Sequence, residues 1–149
     1  MSIYSDRLKA ELFKQFSHHL LAIISLVVAI SALSYNTYRD DLSEVNRNIR
    51  HASFELLKEL NHLQLLIDYA HYEKNDERGN SIKGWGHVMY IKDMSYLISK
   101  SVISGANHLS DTWAGEWSSL KDDLESNQRI TVEIARLRKQ VRIEVKTLK

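Results

Sequence analysis

The sequence predicts an all-α protein with a single N-terminal transmembrane helix, followed by an antiparallel helical bundle or coiled-coil-like body of about three helices. Three observations predict this fold. The 149-residue chain has no proline and only five glycines, although average usage would give roughly seven prolines. Proline interrupts helices, so its absence favours long ones. One early segment is apolar on all sides, and the later segments carry apolar residues at steps of three and four.

After a short tail over residues 1–15, residues 16–38 are predicted to form the transmembrane helix. No formal charge lies between Lys14 and Arg39. This uncharged run is about 36 Å long as a helix, its apolar centre Leu20–Leu33 is about 21 Å long, and a hydrocarbon layer of roughly 30 Å lies between the two. Aromatic residues are expected at both membrane boundaries, and the chain has three there: Phe16, Tyr35 and Tyr38.

Two other interpretations of this segment were weighed. Ala32-Leu33-Ser34 resembles the small-x-small site of a cleaved signal peptide, but the preceding tail is long and contains Asp6 and Glu11. A helix buried in a soluble core would need more surrounding helices than 149 residues readily supply. An uncleaved single-pass anchor is therefore favoured, in the inner or plasma membrane if the protein is bacterial. Three Lys or Arg residues lie on each side of the apolar segment, so their count does not decide its orientation in the membrane. The free amino terminus favours an orientation with the N-terminus inside the cell.

Residues 39–149 are predicted to form the bundle, with helices at about 39–72, 87–105 and 111–148. Glycine, Asn and Asp in residues 73–86 predict the loop between the first two helices. Gly105 and Asn107 predict the end of the second. Apolar residues at heptad-like spacing predict that the first and third helices pack through long stripes, for which we single out five positions: Leu56, Leu63, Ile67, Ile134 and Val141.

Two polar residues interrupt the stripe of the third helix. Asn127 and Thr131 either enter the seam, where a buried Asn can fix helix register, or face water if the helix is rotated slightly. The same helix is basic, with seven Lys or Arg against two Glu from Arg129 to Lys149. That face is ordinarily solvated, although it could contact an anionic surface. The whole chain has 20 basic and 19 acidic residues, so nucleic acid is not an expected partner.

No residue pattern predicts catalysis, a metal or a cofactor. The chain has no cysteine, which excludes disulfides, thiolate metal sites and a cysteine nucleophile. Glu59-x-x-His62 has the spacing of a metal-binding helix, but the bundles that use it need a second copy, and no other histidine here has a Glu three residues before it. His62 is therefore interpreted as a polar residue at the edge of the apolar stripe.

The loop end of the bundle offers one alternative site. His71 and Asp68 end the first predicted helix, His87 begins the second, and Trp85 lies between two glycines. These side chains could bind a ligand or a divalent metal at the tip. The ordinary interpretation is that His71 is favoured by the helix dipole and that Trp85 packs back onto the bundle.

The sequence therefore predicts a non-enzymatic, membrane-anchored interaction or assembly module. Its expected partners are membrane lipid and either a second copy of the chain or another helical protein, held by the apolar stripes. The alternative is a sensory or ligand-binding bundle that uses loop 73–87 with His71, Trp85 and His87.

Overall fold

A computed structural model describes the backbone of residues 2–148 and the side chains of residues 19–148. The described residues form four helices and no strand: α1 (Ser2–His71), α2 (Ser81–Ser95), α3 (Lys100–Glu116) and α4 (Leu124–Thr147). The chain divides into two compact units, residues 1–44 and residues 45–149. The predicted all-α fold with one long apolar N-terminal helix is confirmed.

The first unit is the amino-terminal part of α1. Every side chain from His19 to Glu44 is exposed, and α1 is long and apolar enough, by length and composition, to cross a membrane. Two hydroxyls in this unit bond to the carbonyl four residues earlier, Ser31 Oγ to Val27 O at 2.8 Å and Thr37 Oγ1 to Leu33 O at 3.0 Å. Such bonds satisfy the hydroxyl within its own helix, so neither needs water.

The second unit is a four-helix bundle around one apolar core. Pairs of cross-helix contacts define the helix directions. Gln64 and Asn61 of α1 meet Thr131 and Arg138 of α4, respectively, and Glu116 and Ser99 at the two ends of α3 meet Arg129 and Glu144 of α4. Successive helices run antiparallel. The largest fully buried side chain is Trp113 of α3. Around it lie aliphatic side chains from every helix, which include Leu56, Leu60, Leu63, Ile67, Val88, Ile91, Val102, Leu109, Ile130, Ile134, Leu137 and Val141.

The second predicted helix begins earlier than its pattern suggested. Asn80 caps α2, and its side chain accepts hydrogen bonds from the backbone N–H groups of Ile82 and Lys83. Gly84 and Gly86, which predicted a loop, are therefore helical. Gly84 is required for packing, because a Cβ there would lie 2.2 Å from the Trp113 ring. It marks a close helix approach rather than a turn.

Two further helix ends lie inside segments predicted to be continuous. Residues 87–105 are interrupted after Ser95, and Ser99 caps α3, its hydroxyl accepting from Val102 N at 3.3 Å. Residues 111–148 are interrupted at 117–123, and Asp123 caps α4. The body thus has four helical segments instead of about three. Both breaks use a Ser or Asp cap with no glycine or proline, so the apolar periodicity continues across them.

Candidate functional site

Three side chains that favour metals meet where α1 faces α2. Glu59 and His62 are three residues apart and so share one face of α1. The antiparallel course of α2 brings His87 onto that face, although it is 28 residues from Glu59 in the sequence. We call Glu59, His62 and His87 the EHH cluster.

Glu59 contacts both imidazoles of the EHH cluster, one through each carboxylate oxygen. Oε2 of Glu59 lies 3.1 Å from Nδ1 of His62, and Oε1 contacts Nδ1 of His87. The ring centroids of His62 and His87 are 6.0 Å apart, with 51° between the ring planes. One ligand atom from each of the three residues lies within 4.8 Å of the other two. The three donor groups therefore converge on a common point.

The cluster is partly buried but open to solvent on one side. The Glu59 side chain is 17% exposed, while His62 is 47% and His87 25% exposed. Burial raises the pKa of Glu59, but hydrogen bonds from His87 and then His62 outweigh it, so the net pKa is lowered. Glu59 is thus an ionised carboxylate at neutral pH, and two nitrogen donors face it.

This donor set is the kind that binds a divalent transition metal. Imidazole nitrogen and carboxylate oxygen are common zinc ligands, and nitrogen donors suit transition metals better than Mg²⁺ or Ca²⁺. The Glu59-x-x-His62 spacing alone does not predict this site, because the sequence has no second copy of the pair. The third donor is instead a single histidine on a neighbouring helix. Only the packing of α2 against α1 brings it to Glu59.

The residues predicted for the tip site lie apart. His71 Nδ1 is 2.9 Å from the carbonyl oxygen of Leu120, whereas His87 contacts Glu59, which is about 18 Å from His71 along α1. Trp85 is partly buried against the core and meets Trp113 edge to face at 6.4 Å. Asp68 accepts a hydrogen bond from Gln64 at 3.0 Å. The structure joins His87 to a different set of partners and gives Trp85 a packing contact.

The five stripe residues singled out from the sequence are all in the core. Their exposed fractions are 0–2%, and they are Leu56, Leu63, Ile67, Ile134 and Val141. They pack within one chain and are not available to another, so a partner surface has to use other residues. Asn127 of the same seam is also buried, and its Nδ2 has no hydrogen-bond partner among the described residues. Thr131 is partly buried beside Gln64.

Part of the basic surface of α4 is paired within the chain. Arg129 bonds to Glu116 of α3 at 2.7 and 2.8 Å and to Glu125 at 3.1 Å. Arg138 donates to Asn61 Oδ1 of α1 at 2.7 Å. These cations therefore have partners within the chain, and contact of the basic surface with an anionic surface stays a prediction.

Comparisons with protein families, with curated proteins and with solved structures find no match for this chain. Its function is therefore inferred from its residues and their geometry.

Proposed function

We propose that this chain is a single-pass membrane protein whose helical body, with no catalytic activity, is an assembly module that joins two copies at the membrane. The observation that carries the anchor is the exposure of Leu20–Leu33. Its large apolar side chains are 48–69% exposed, while the residues from Val45 onward enclose a core of their own. Exposed apolar surface of this size is unfavourable in water and favourable in lipid.

The body also has an apolar groove that suits association. The groove lies between α1 and α2, has a volume of about 560 Å³, and is lined mainly by apolar side chains, which include Val45, Ile49, Ala52, Tyr90, Met94 and Leu97. Val45 is 53% and Leu97 59% exposed. An apolar groove of this kind suits the apolar side of another helix.

A second copy is the occupant that we propose. Copies anchored in one membrane share the same orientation, so identical surfaces can meet about a twofold axis. Val45, Ile49 and Ala52 follow heptad-like steps of four and three on α1, a spacing typical of helix–helix packing. Ala52 is buried, whereas Val45 is exposed at the edge of the groove. A second α1 would cover that edge.

Ultracentrifugation of membranes tests the anchor. The full-length chain should pellet with membranes after alkaline carbonate extraction and be released by detergent. A chain that stays in the supernatant without detergent, or one that lacks about its first 36 residues, would overturn the proposed anchor.

Single-cysteine cross-linking tests the association. The natural chain has no cysteine, so a single introduced cysteine reports on one position. Val45→Cys should give a disulfide-linked dimer in membranes. Leu65→Cys should not, because Leu65 is 52% exposed but lies outside the groove. Light scattering in detergent should show that Leu97→Glu lowers the mass from dimer to monomer and that Leu65→Glu does not. A monomeric natural chain, or equal cross-linking at both positions, would refute self-association through this groove.

A further inference from the structure

We propose that Glu59, His62 and His87 bind one divalent transition-metal ion of the zinc class, which joins α1 to α2. This inference does not depend on the proposed membrane anchor or on self-association. It starts from the convergence of two imidazole nitrogens and one carboxylate on a common point.

The distances fit shared coordination. Zinc binds imidazole nitrogen and carboxylate oxygen at about 2.0–2.1 Å, so two ligands of a tetrahedral ion lie roughly 3.3 Å apart. Nδ1 of His62 and Oε2 of Glu59 are 3.1 Å apart, and all three donor atoms lie within 4.8 Å of one another. We expect side-chain rotation alone to bring the three donor atoms around one ion.

Both histidines can adopt the neutral tautomer that coordination needs. Without a metal, the Nδ1–H of each ring donates to Glu59. A bound ion takes the place of that proton, and a neutral ring with its proton on Nε2 then presents the Nδ1 lone pair to the ion. The site would then consist of two neutral imidazoles and one carboxylate. The negative charge of the carboxylate offsets part of the charge of a divalent cation. Nitrogen donors favour Zn²⁺, Co²⁺ or Ni²⁺ over Mg²⁺ and Ca²⁺.

The backbones that carry these ligands are held in place by the core. Leu60 follows Glu59, Leu63 follows His62 and Val88 follows His87, and all three are fully buried. The ligand positions are thus fixed on two packed helices. The 47% exposure of the His62 side chain leaves the cluster open to solvent, so water can complete a four-coordinate site.

A metal titration of the intact chain tests the proposal. The full-length protein, purified in detergent and treated with chelator, is titrated with Co²⁺ and followed by the visible absorption of tetrahedral cobalt, with Zn²⁺ as competitor. We expect one ion per chain and a metal-dependent rise in Tm, because a ligand that binds only the folded state stabilises it. His62→Ala, His87→Ala and Glu59→Gln should each weaken binding by about tenfold or more.

Two controls separate this site from adventitious binding. His108→Ala removes an exposed histidine of α3 outside the cluster and should leave the affinity unchanged. Replacing both His18 and His19 by Ala removes the adjacent pair near the apolar segment and should also leave it unchanged. Circular dichroism of each variant confirms that the fold is retained, and the isosteric Glu59→Gln provides the test if an alanine variant unfolds.

Three outcomes would overturn the proposal. The first is the absence of one-to-one binding when Co²⁺ is titrated into the natural chain. The second is unchanged affinity in the correctly folded Glu59→Gln variant. The third is loss of binding only when His18 and His19 are replaced, which would place the metal outside the bundle.

Discussion

Two parts of α1 are similarly rich in leucine and isoleucine but have opposite surroundings. In Leu20–Leu33 every side chain is exposed, on all sides of the helix. From Ala52 to Ala70 the apolar residues at three- and four-residue steps are buried, while exposed polar residues such as Lys58 and Asn61 alternate with them. In the proposed anchor, the first pattern would depend only on polarity, because lipid packs around any apolar shape. The second depends on shape, because each side chain fits a fixed neighbour.

The largest expected effect comes from a buried charge. Leu63→Asp places a carboxylate among fully buried aliphatic side chains and should destabilise the body by about 4 kcal/mol or more, enough to unfold it. Val27→Asp should leave unfolding of the body unchanged and instead reduce membrane retention, since an acidic residue at the centre of a span costs roughly 3 kcal/mol. Urea unfolding and membrane pelleting measure the two effects separately.

Leu65→Asp provides the control for this pair. Leu65 is 52% exposed on the same helix, so its replacement should change stability by about 0.5 kcal/mol or less. If Leu63→Asp and Leu65→Asp were equally stable, the core would not be arranged as the structure shows.

The next prediction tests whether the body is sensitive to side-chain shape while the apolar segment is not. A Cβ at Gly84 would lie 2.2 Å from the buried ring of Trp113, so Gly84→Ala should cost about 1–2 kcal/mol net, with strain outweighing the gain in helix propensity. Gly86→Ala, with no atom within 4 Å of its Cβ, should stabilise α2 by up to about 1 kcal/mol. Ala29→Leu in the apolar segment should leave membrane retention unchanged. Equal unfolding midpoints for the two glycine variants would contradict the close approach of α2 to Trp113.

The contrast between polarity and shape also explains how much of the fold can be predicted from the sequence. Apolar periodicity predicts which faces are buried, and Leu56, Leu63 and Ile134 do lie in the core. Periodicity continues through the turns before Ser99 and Asp123, so it misses both helix breaks. Glycine predicts a loop, whereas Gly84 is helical and its missing Cβ leaves space for the ring of Trp113, 29 residues later.

The candidate site was less accessible to sequence reasoning. Glu59 and His62 are visible as a spaced pair because one helix carries both. The third member, His87, depends on how α2 lies against α1, and no local pattern encodes that register. Its predicted partner, His71, was chosen because both flank the same loop, but α1 and α2 place them more than three helical turns apart.

A polar residue inside the shape-dependent region offers a finer test. Asn127 is 3% exposed and its Nδ2 has no hydrogen-bond partner among the described residues. Asn127→Leu removes this unpaired buried donor and should stabilise the body by about 1 kcal/mol, measured as a higher urea midpoint. Ser118→Leu, at an exposed position, is the control for added apolar volume. A lower midpoint for Asn127→Leu would show that the amide has a structural role, such as fixing register.

The smallest expected effect is on the pH dependence of stability, which arises from charged side chains of the body such as Arg129 and Glu116. Leu20–Leu33 has no such side chains. Hydrogen bonds from Arg129 and Ser126 lower the pKa of Glu116 from its ordinary value of 4.5. A lowered folded-state pKa means that the unfolded chain binds the proton more readily, so this stabilisation is present above pH 4.5 and is lost as the pH falls through the lower folded value. Arg129→Met should therefore flatten the decline in urea midpoint between pH 5 and pH 3. Lys139→Met removes an exposed cation of the same helix and should leave the change of urea midpoint with pH as in the natural chain. If the two variants showed the same pH dependence, the Arg129–Glu116 pair would not contribute to acid sensitivity.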